Sequence, residues 1–153
     1  MTPSPDLGIG WLLGAVHRRV RARWAERIRP LGVSPPQAAA LRALAAHPGM
    51  GLRELARTIE AEPINLSRTL EPLESAGLLR RAPRPDDRRA LALWPTEAGC
   101  ELAQRLEVHA EAFAAELRGL LGADVGAVEA ALTDWLGVLR TNVPRGPGVR
   151  AEH

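Results

Sequence analysis

Between residues 9 and 31 the apolar side chains Ile9, Leu13, Val16, Val20, Trp24, Ile28 and Leu31 recur every three or four positions, the spacing of one stripe along a helix. A helix of about 22 residues is roughly 33 Å long. That is more than one small neighbouring unit covers, so part of the stripe needs a further partner. Pro30 and Gly32 close the segment. The rest of the composition agrees with a helical fold. Apolar residues make up 46% of the 153 positions, aromatic ones only 3%, and Tyr is absent, which favours Ala/Leu packing with few strands. The length suits a single domain with a core of its own.

Ser34-Pro-Pro-Gln37 is a capping box with prolines in the first turn, opening a helix that His47-Pro-Gly49 ends. A short helix follows from Leu52 to about Glu60, with Leu55, Ala56 and Ile59 on its inner side. The next helix begins after only two or three residues. Pro63 suits its first turn, where an amide has no helical partner to lose, and Leu66, Leu70 and Leu73 form its buried stripe. Gly77 is placed to leave it in a left-handed conformation. Pro72 lies inside the pattern and is expected to bend the last turns, a change that costs about 3 kcal/mol in a regular helix interior.

Residues 78–82 and 90–94 read as two short strands around Pro83-Arg-Pro-Asp-Asp-Arg-Arg89, whose turn formers and charges mark a hairpin tip. Thr96 caps another helix, with Leu102, Leu106, Phe113, Leu117 and Leu120 as its apolar positions. Gly122 interrupts it and Asp124 caps the last helix, whose stripe is Val128, Leu132, Trp135 and Leu139. Residues 144–153 are Gly/Pro-rich and read as a flexible tail.

Two short helices at a tight turn followed by a basic hairpin are the parts of a winged helix-turn-helix. The second helix starts with Pro63, Ile64, Asn65, Ser67 and Arg68, which include an amide, a hydroxyl and a guanidinium suited to base edges or phosphates. The hairpin sets Arg80, Arg81, Arg84, Arg88 and Arg89 against Asp86 and Asp87. All 20 basic side chains are Arg, so a formal charge of only +2 conceals many permanently charged planar donors. The rival assignment for Arg89 is a structural pair with Asp87 that shapes the turn, and Arg84 and Arg88 stand similarly.

Other chemistries find little support. His17, His47, His109 and His153 lack carboxylate or Cys partners at metal-ligand spacing, and no phosphate loop or nucleophile elbow is present. Neither an enzyme nor a bound metal or cofactor is expected. The lone Cys100 excludes an intramolecular disulfide; of its two readings, a redox sensor and a structural residue, the second is favoured, with no Tyr to activate a thiolate. Without a signal peptide or an apolar run of spanning length, the chain is expected in the cytoplasm.

The sequence resembles the MarR family of bacterial transcription regulators over nearly its whole length. Leu31-Gly-Val-Ser-Pro-Pro-Gln37 looks like the start of that family's second helix, and Leu52-Arg-Glu-Leu-Ala56 like its helix before the turn. Leu73-Glu-Ser-Ala-Gly-Leu-Leu-Arg80 resembles the end of its recognition helix, while Asp86-Asp-Arg-Arg-Ala90 and Thr96-Glu-Ala-Gly99 resemble its wing signature and the opening of its fifth helix. The resemblance implies a single domain over residues 1–143. Helices at 9–31 and 96–142 would intertwine in a homodimer, and a winged helix-turn-helix lobe at 34–95 would meet a near-palindromic operator. The implied function is sequence-specific DNA binding, in most members repression. The contacts expected on DNA are Ile64, Asn65, Ser67, Arg68, Arg84, Arg88 and Arg89. Pro63 and Ile64 stand where many members carry polar or basic residues, and Pro95 replaces an aliphatic residue before Thr96, so those details do not carry over.

The family resemblance also implies an effector crevice between the dimer helices and the DNA-binding lobe. Here Trp11, His17 and Arg19 on the first helix are the candidates, suited to a small aromatic anion, against the plainer reading of a solvated basic face. Trp11, Trp24 and Trp135 fit packing positions better than ligand platforms, given their helical spacing with Leu and Val. The alternative from another functional class is a winged-helix protein-interaction or assembly subunit without specific DNA binding.

Overall fold

The computed structural model describes residues 7–122 and 124–141; the expected tail at 144–153 lies outside them. Six helices and one hairpin follow in order: α1 Gly8–Ile28, α2 Pro35–Ala46, α3 Leu52–Thr58, α4 Pro63–Ser75, β1 Leu79–Pro83, β2 Leu91–Pro95, α5 Glu97–Leu121 and α6 Val125–Thr141. The fold is mainly helical with a small hairpin, as the sequence predicts. The chain divides into two compact units that meet inside α5, between Phe113 and Ala114.

The first unit holds the core. Ile28, Val33, Leu41, Leu44, Leu55, Leu66, Leu70, Leu73, Leu79, Leu93, Leu102 and Leu106 form one buried cluster drawn from every element of that unit. Of α1 only its end takes part. Ile28 is buried, and Trp24 packs against Phe113 with ring centroids 5.4 Å apart, while Ile9, Leu13 and Val16 are exposed. The predicted helix end at residue 31 is shortened, because α1 stops at Ile28 and a 3₁₀ turn spans Arg29–Leu31. Pro30 has no amide hydrogen for the carbonyl of Glu26, so the last turn tightens before Gly32 leaves it at φ 74°. The predicted capping box at α2 is present: Gln37 N donates to Ser34 Oγ, and Ser34 N donates to Gln37 Oε1 at 2.9 Å.

The strands lie one residue later than predicted. Leu78 belongs to the helix end instead: its amide donates to Leu73 O at 2.9 Å, and Gly77, at φ 70°, donates to Glu74 O at 3.0 Å. These two bonds satisfy carbonyls that α4 would otherwise leave unpaired. The ladder then runs antiparallel from Leu79 opposite Pro95 to Pro83 opposite Leu91. A bridge between Met50 and Leu93, which the sequence analysis did not foresee, ties the segment before α3 to β2. Gly49 there has φ 86°, and a Cβ on it would lie 2.9 Å from the Trp94 ring.

In the second unit α5 ends at Gly122, φ 86°, and α6 begins with Val128 N donating to Asp124 O at 3.1 Å. Arg118 and Glu129 pair at 3.2 Å. No side chain of α6 is buried. No helix among the described residues is long and apolar enough to cross a membrane.

Candidate nucleic-acid interface

The turn between α3 and α4 sets the site. Glu60 takes the left-handed conformation there (φ 54°), Ala61 N reaches back to Ala56 O at 2.8 Å, and Glu62 occupies the N-cap position before Pro63. Leu66, Leu70 and Leu73 all face the core. At 100° per residue, Ile64 and Arg68 then project almost directly away from it, one turn apart, with Asn65 and Ser67 on the flanks. Ile64 is 73% exposed, Asn65 and Arg68 are exposed, and Ser67 is half-buried. The helix is held at this angle from behind: Gln37 Nε2 on α2 donates to Thr69 O at 3.4 Å.

Pro72 lies on the exposed side of α4, and helical bonding resumes at once, with Ala76 N donating to Pro72 O at 3.0 Å. Pro72 has no amide hydrogen to offer the carbonyl of Arg68, and both residues lie on the exposed side of α4, where the missing bond costs least. Leu73 points inward and Glu74 meets Arg81 of β1 at 3.1 Å, so the end of α4 is tied to the wing.

The five wing arginines separate into two groups. The Arg80 guanidinium lies 5.7 Å from the centre of the Trp94 ring, Arg81 pairs with Glu74, and Arg84 pairs with Asp86 at 3.2 Å. Its own backbone amide and then the Arg84 charge hold the Asp86 carboxyl below the usual range, so this acid stays ionised and offsets Arg84 near neutrality. Arg88 and Arg89 are exposed, and their guanidinium groups have no ion-pair partner among the described residues. Of the rival Asp87–Arg89 pair only a backbone bond forms: Arg89 N donates to Asp87 Oδ1 at 3.0 Å, shaping the tip, while the Arg89 guanidinium has no ion pair among the described residues. Two arginines that the sequence analysis passed over join this set. Arg53 and Arg57 are exposed on α3, one turn apart and opposite Leu55, again without an ion pair among the described residues. Their i, i+4 spacing was the available signal.

Trp11, His17 and Arg19 are all exposed on α1. In that uninterrupted helix His17 and Arg19, two residues apart, point about 200° away from each other. The three side chains therefore do not converge on one site within a single chain. Cys100 is half-buried in the first turn of α5, where its amide donates to Thr96 O at 2.8 Å. No group of three or more His, Cys, Asp or Glu side chains able to hold a metal occurs among the described residues.

The same architecture recurs in known proteins. A family model described as the MarR family matches residues 33–91. The HTH-type transcriptional repressor Rv2887 of Mycobacterium tuberculosis is 33% identical over 104 residues, covering 68% of this chain and 75% of that protein. Its crystal structure, described as a MarR family protein, aligns with a TM-score of 0.63 at 29% identity over 90% of this chain and 99% of its own. The transcriptional repressor CouR, bound to a 23-mer DNA duplex, aligns with a TM-score of 0.78 at 26% identity over 90% of this chain and 99% of its own. A MarR variant from E. coli complexed with operator DNA gives 0.75 at 25% identity over 83% and 92% of the two chains. With its helix-turn-helix, basic hairpin and flanking long helices in the same order, the chain belongs to the MarR family of winged helix-turn-helix transcriptional regulators, which are not enzymes.

Proposed function

We propose that the protein is a sequence-specific DNA-binding regulator, a repressor that holds a near-palindromic operator as a homodimer. The observation that carries this reading is the outward face of α4, where Ile64 and Arg68 stand clear of the core beside a wing whose Arg88 and Arg89 have no ion pair among the described residues. In this arrangement α4 enters the major groove and Arg68 reads a base edge, while Arg88 and Arg89 track the backbone. Arg53 and Arg57 lie on the first helix of the motif, the one that crosses the phosphates. Arg84, held by Asp86, contributes less than its position in the sequence suggests. MarR-family proteins generally bind DNA as dimers, and two of the structural relatives were solved on DNA.

The test is a salt titration on a duplex selected from a random pool. Arg68→Ala lowers affinity by about 1–3 kcal/mol and relaxes selectivity at one position. Arg88→Ala and Arg89→Ala weaken all sequences alike, each flattening the salt slope by about one. Unchanged affinity after replacing all three arginines would discard this DNA face. Failure to retain any duplex at low salt would favour a protein-assembly role for the winged helix.

A further inference from the structure

Ile64 occupies an unusual place for an apolar side chain. It is the second residue of α4 and 73% exposed. Single exposed apolar residues are common on protein surfaces, so exposure alone carries nothing. Its direction does. Leu66, Leu70 and Leu73 fix the inner side of α4, which puts Ile64 in the middle of the outer side, a turn before Arg68 and beside Asn65. The other exposed large apolar side chains among the described residues lie on α1, α5 and α6 or just before α1, apart from Leu91 on the hairpin. Ile64 is thus the one exposed large apolar group on α3 or α4.

The most prominent apolar group on the major-groove edges of the bases is the 5-methyl group of thymine. We propose that Ile64 reads this methyl group and so makes a thymine the preferred base at one position of each half-site. The inference rests on the DNA-binding reading given above. Polar side chains at this place would compete for hydrogen bonds with any base, whereas a branched hydrocarbon gains only where it displaces water from another hydrocarbon. Arg68 lies four residues further along the same side, about 6 Å along the helix axis. With base pairs stacked about 3.4 Å apart, the thymine lies within about two base pairs of the base that Arg68 reads, for which guanine is the bidentate partner.

The experiment replaces each thymine of the selected operator, one position per half-site, with deoxyuridine, which removes the methyl and keeps every hydrogen-bonding group. For the unaltered protein, one position loses about fourfold in affinity per half-site, the worth of burying one methyl-sized group. Ile64→Val retains this sensitivity. Ile64→Ala binds the thymine operator more weakly and no longer distinguishes thymine from uracil at that position. Ile64 is exposed, so the variants should fold, and thermal melting of each confirms it. An operator on which uracil is neutral at every thymine, or an Ile64→Ala protein with undiminished sensitivity, overturns this inference and leaves the DNA-binding reading intact. A random pool from which no duplex is enriched overturns both.

Discussion

Gly99 tolerates no side chain, because a Cβ there would run into the carbonyl oxygen of Leu78. The contact lies where the hairpin meets α5. Thr96 Oγ1 donates to Gly77 O at 2.6 Å and accepts from Gly99 N at 3.1 Å, while Thr96 N donates to Leu78 O at 3.1 Å. One hydroxyl therefore caps α5 and fastens the end of α4 to it, and only a glycine lets the backbones approach that closely. This gives the Thr96-Glu-Ala-Gly99 signature a physical basis. Gly99→Ala is expected to lower stability by at least about 1–3 kcal/mol, since the obstacle is backbone and not a side chain that can swing aside. Urea midpoints would measure it, and a midpoint equal to that of the unaltered chain would show that the junction yields to a side chain at Gly99.

At the scale of elements, α4 is positioned by connections at its C-terminal end and from behind. Gln37 holds its middle, Glu74 and Arg81 hold its end to β1, and the bridge between Met50 and Leu93 holds the segment before α3 to β2. A further connection joins α2 to α5: Arg42 Nε and Nη2 donate to the two oxygens of Glu107 at 2.8 and 3.0 Å. Hydrogen bonding from Arg42 lowers the Glu107 carboxyl below the ordinary glutamate range. A carboxyl lowered in the folded state adds stability that is present above the ordinary range and is lost as pH falls through the lowered value. Glu107→Gln should therefore reduce stability at neutral pH and lose its effect in acid below the carboxylate range. Both side chains are well exposed, so the difference is small, about 0.2–1 kcal/mol. Equal urea midpoints at neutral pH, or a difference that persists in acid, would remove Glu107 from the list of stabilising groups.

For the molecule as a whole, the uncovered apolar side chains matter most. Ile9 is 60% exposed and Val16 55% in the first unit, and Trp135 is 43% and Leu139 66% exposed in the second. Stripes that regular would be costly left in water, and permanent subunit interfaces that cover such faces bury about 2,000–5,000 Å² or more. The homodimer proposed above covers them, and its symmetry places half-sites about 34–36 Å apart, one turn of DNA. Light scattering at micromolar concentration and physiological salt should give twice the chain mass. Trp135→Glu together with Leu139→Glu should shift that mass toward the monomer and weaken operator binding. A folded monomer in the unaltered protein would contradict the dimer directly.

The sequence by itself determined the capped helix ends, because caps act within three or four residues of the groups they satisfy, although it placed the end of α1 three residues too late. Ser34 with Gln37, Pro63, Gly77 and Thr96 are all at the positions their chemistry requires. It also determined the outward face of α4, since three leucines at helical spacing fix the opposite face. Tertiary structure decided what depends on residues distant in the chain. In sequence the five wing arginines are alike; only the approach of Trp94, Glu74 and Asp86 separates the engaged Arg80, Arg81 and Arg84 from the free ends of Arg88 and Arg89. The same holds for the closeness of Gly99 to Leu78 and of Gly49 to Trp94. A helix pattern records which side of an element is buried, but not which atom of another element arrives there, because that choice is made by packing the whole core at once.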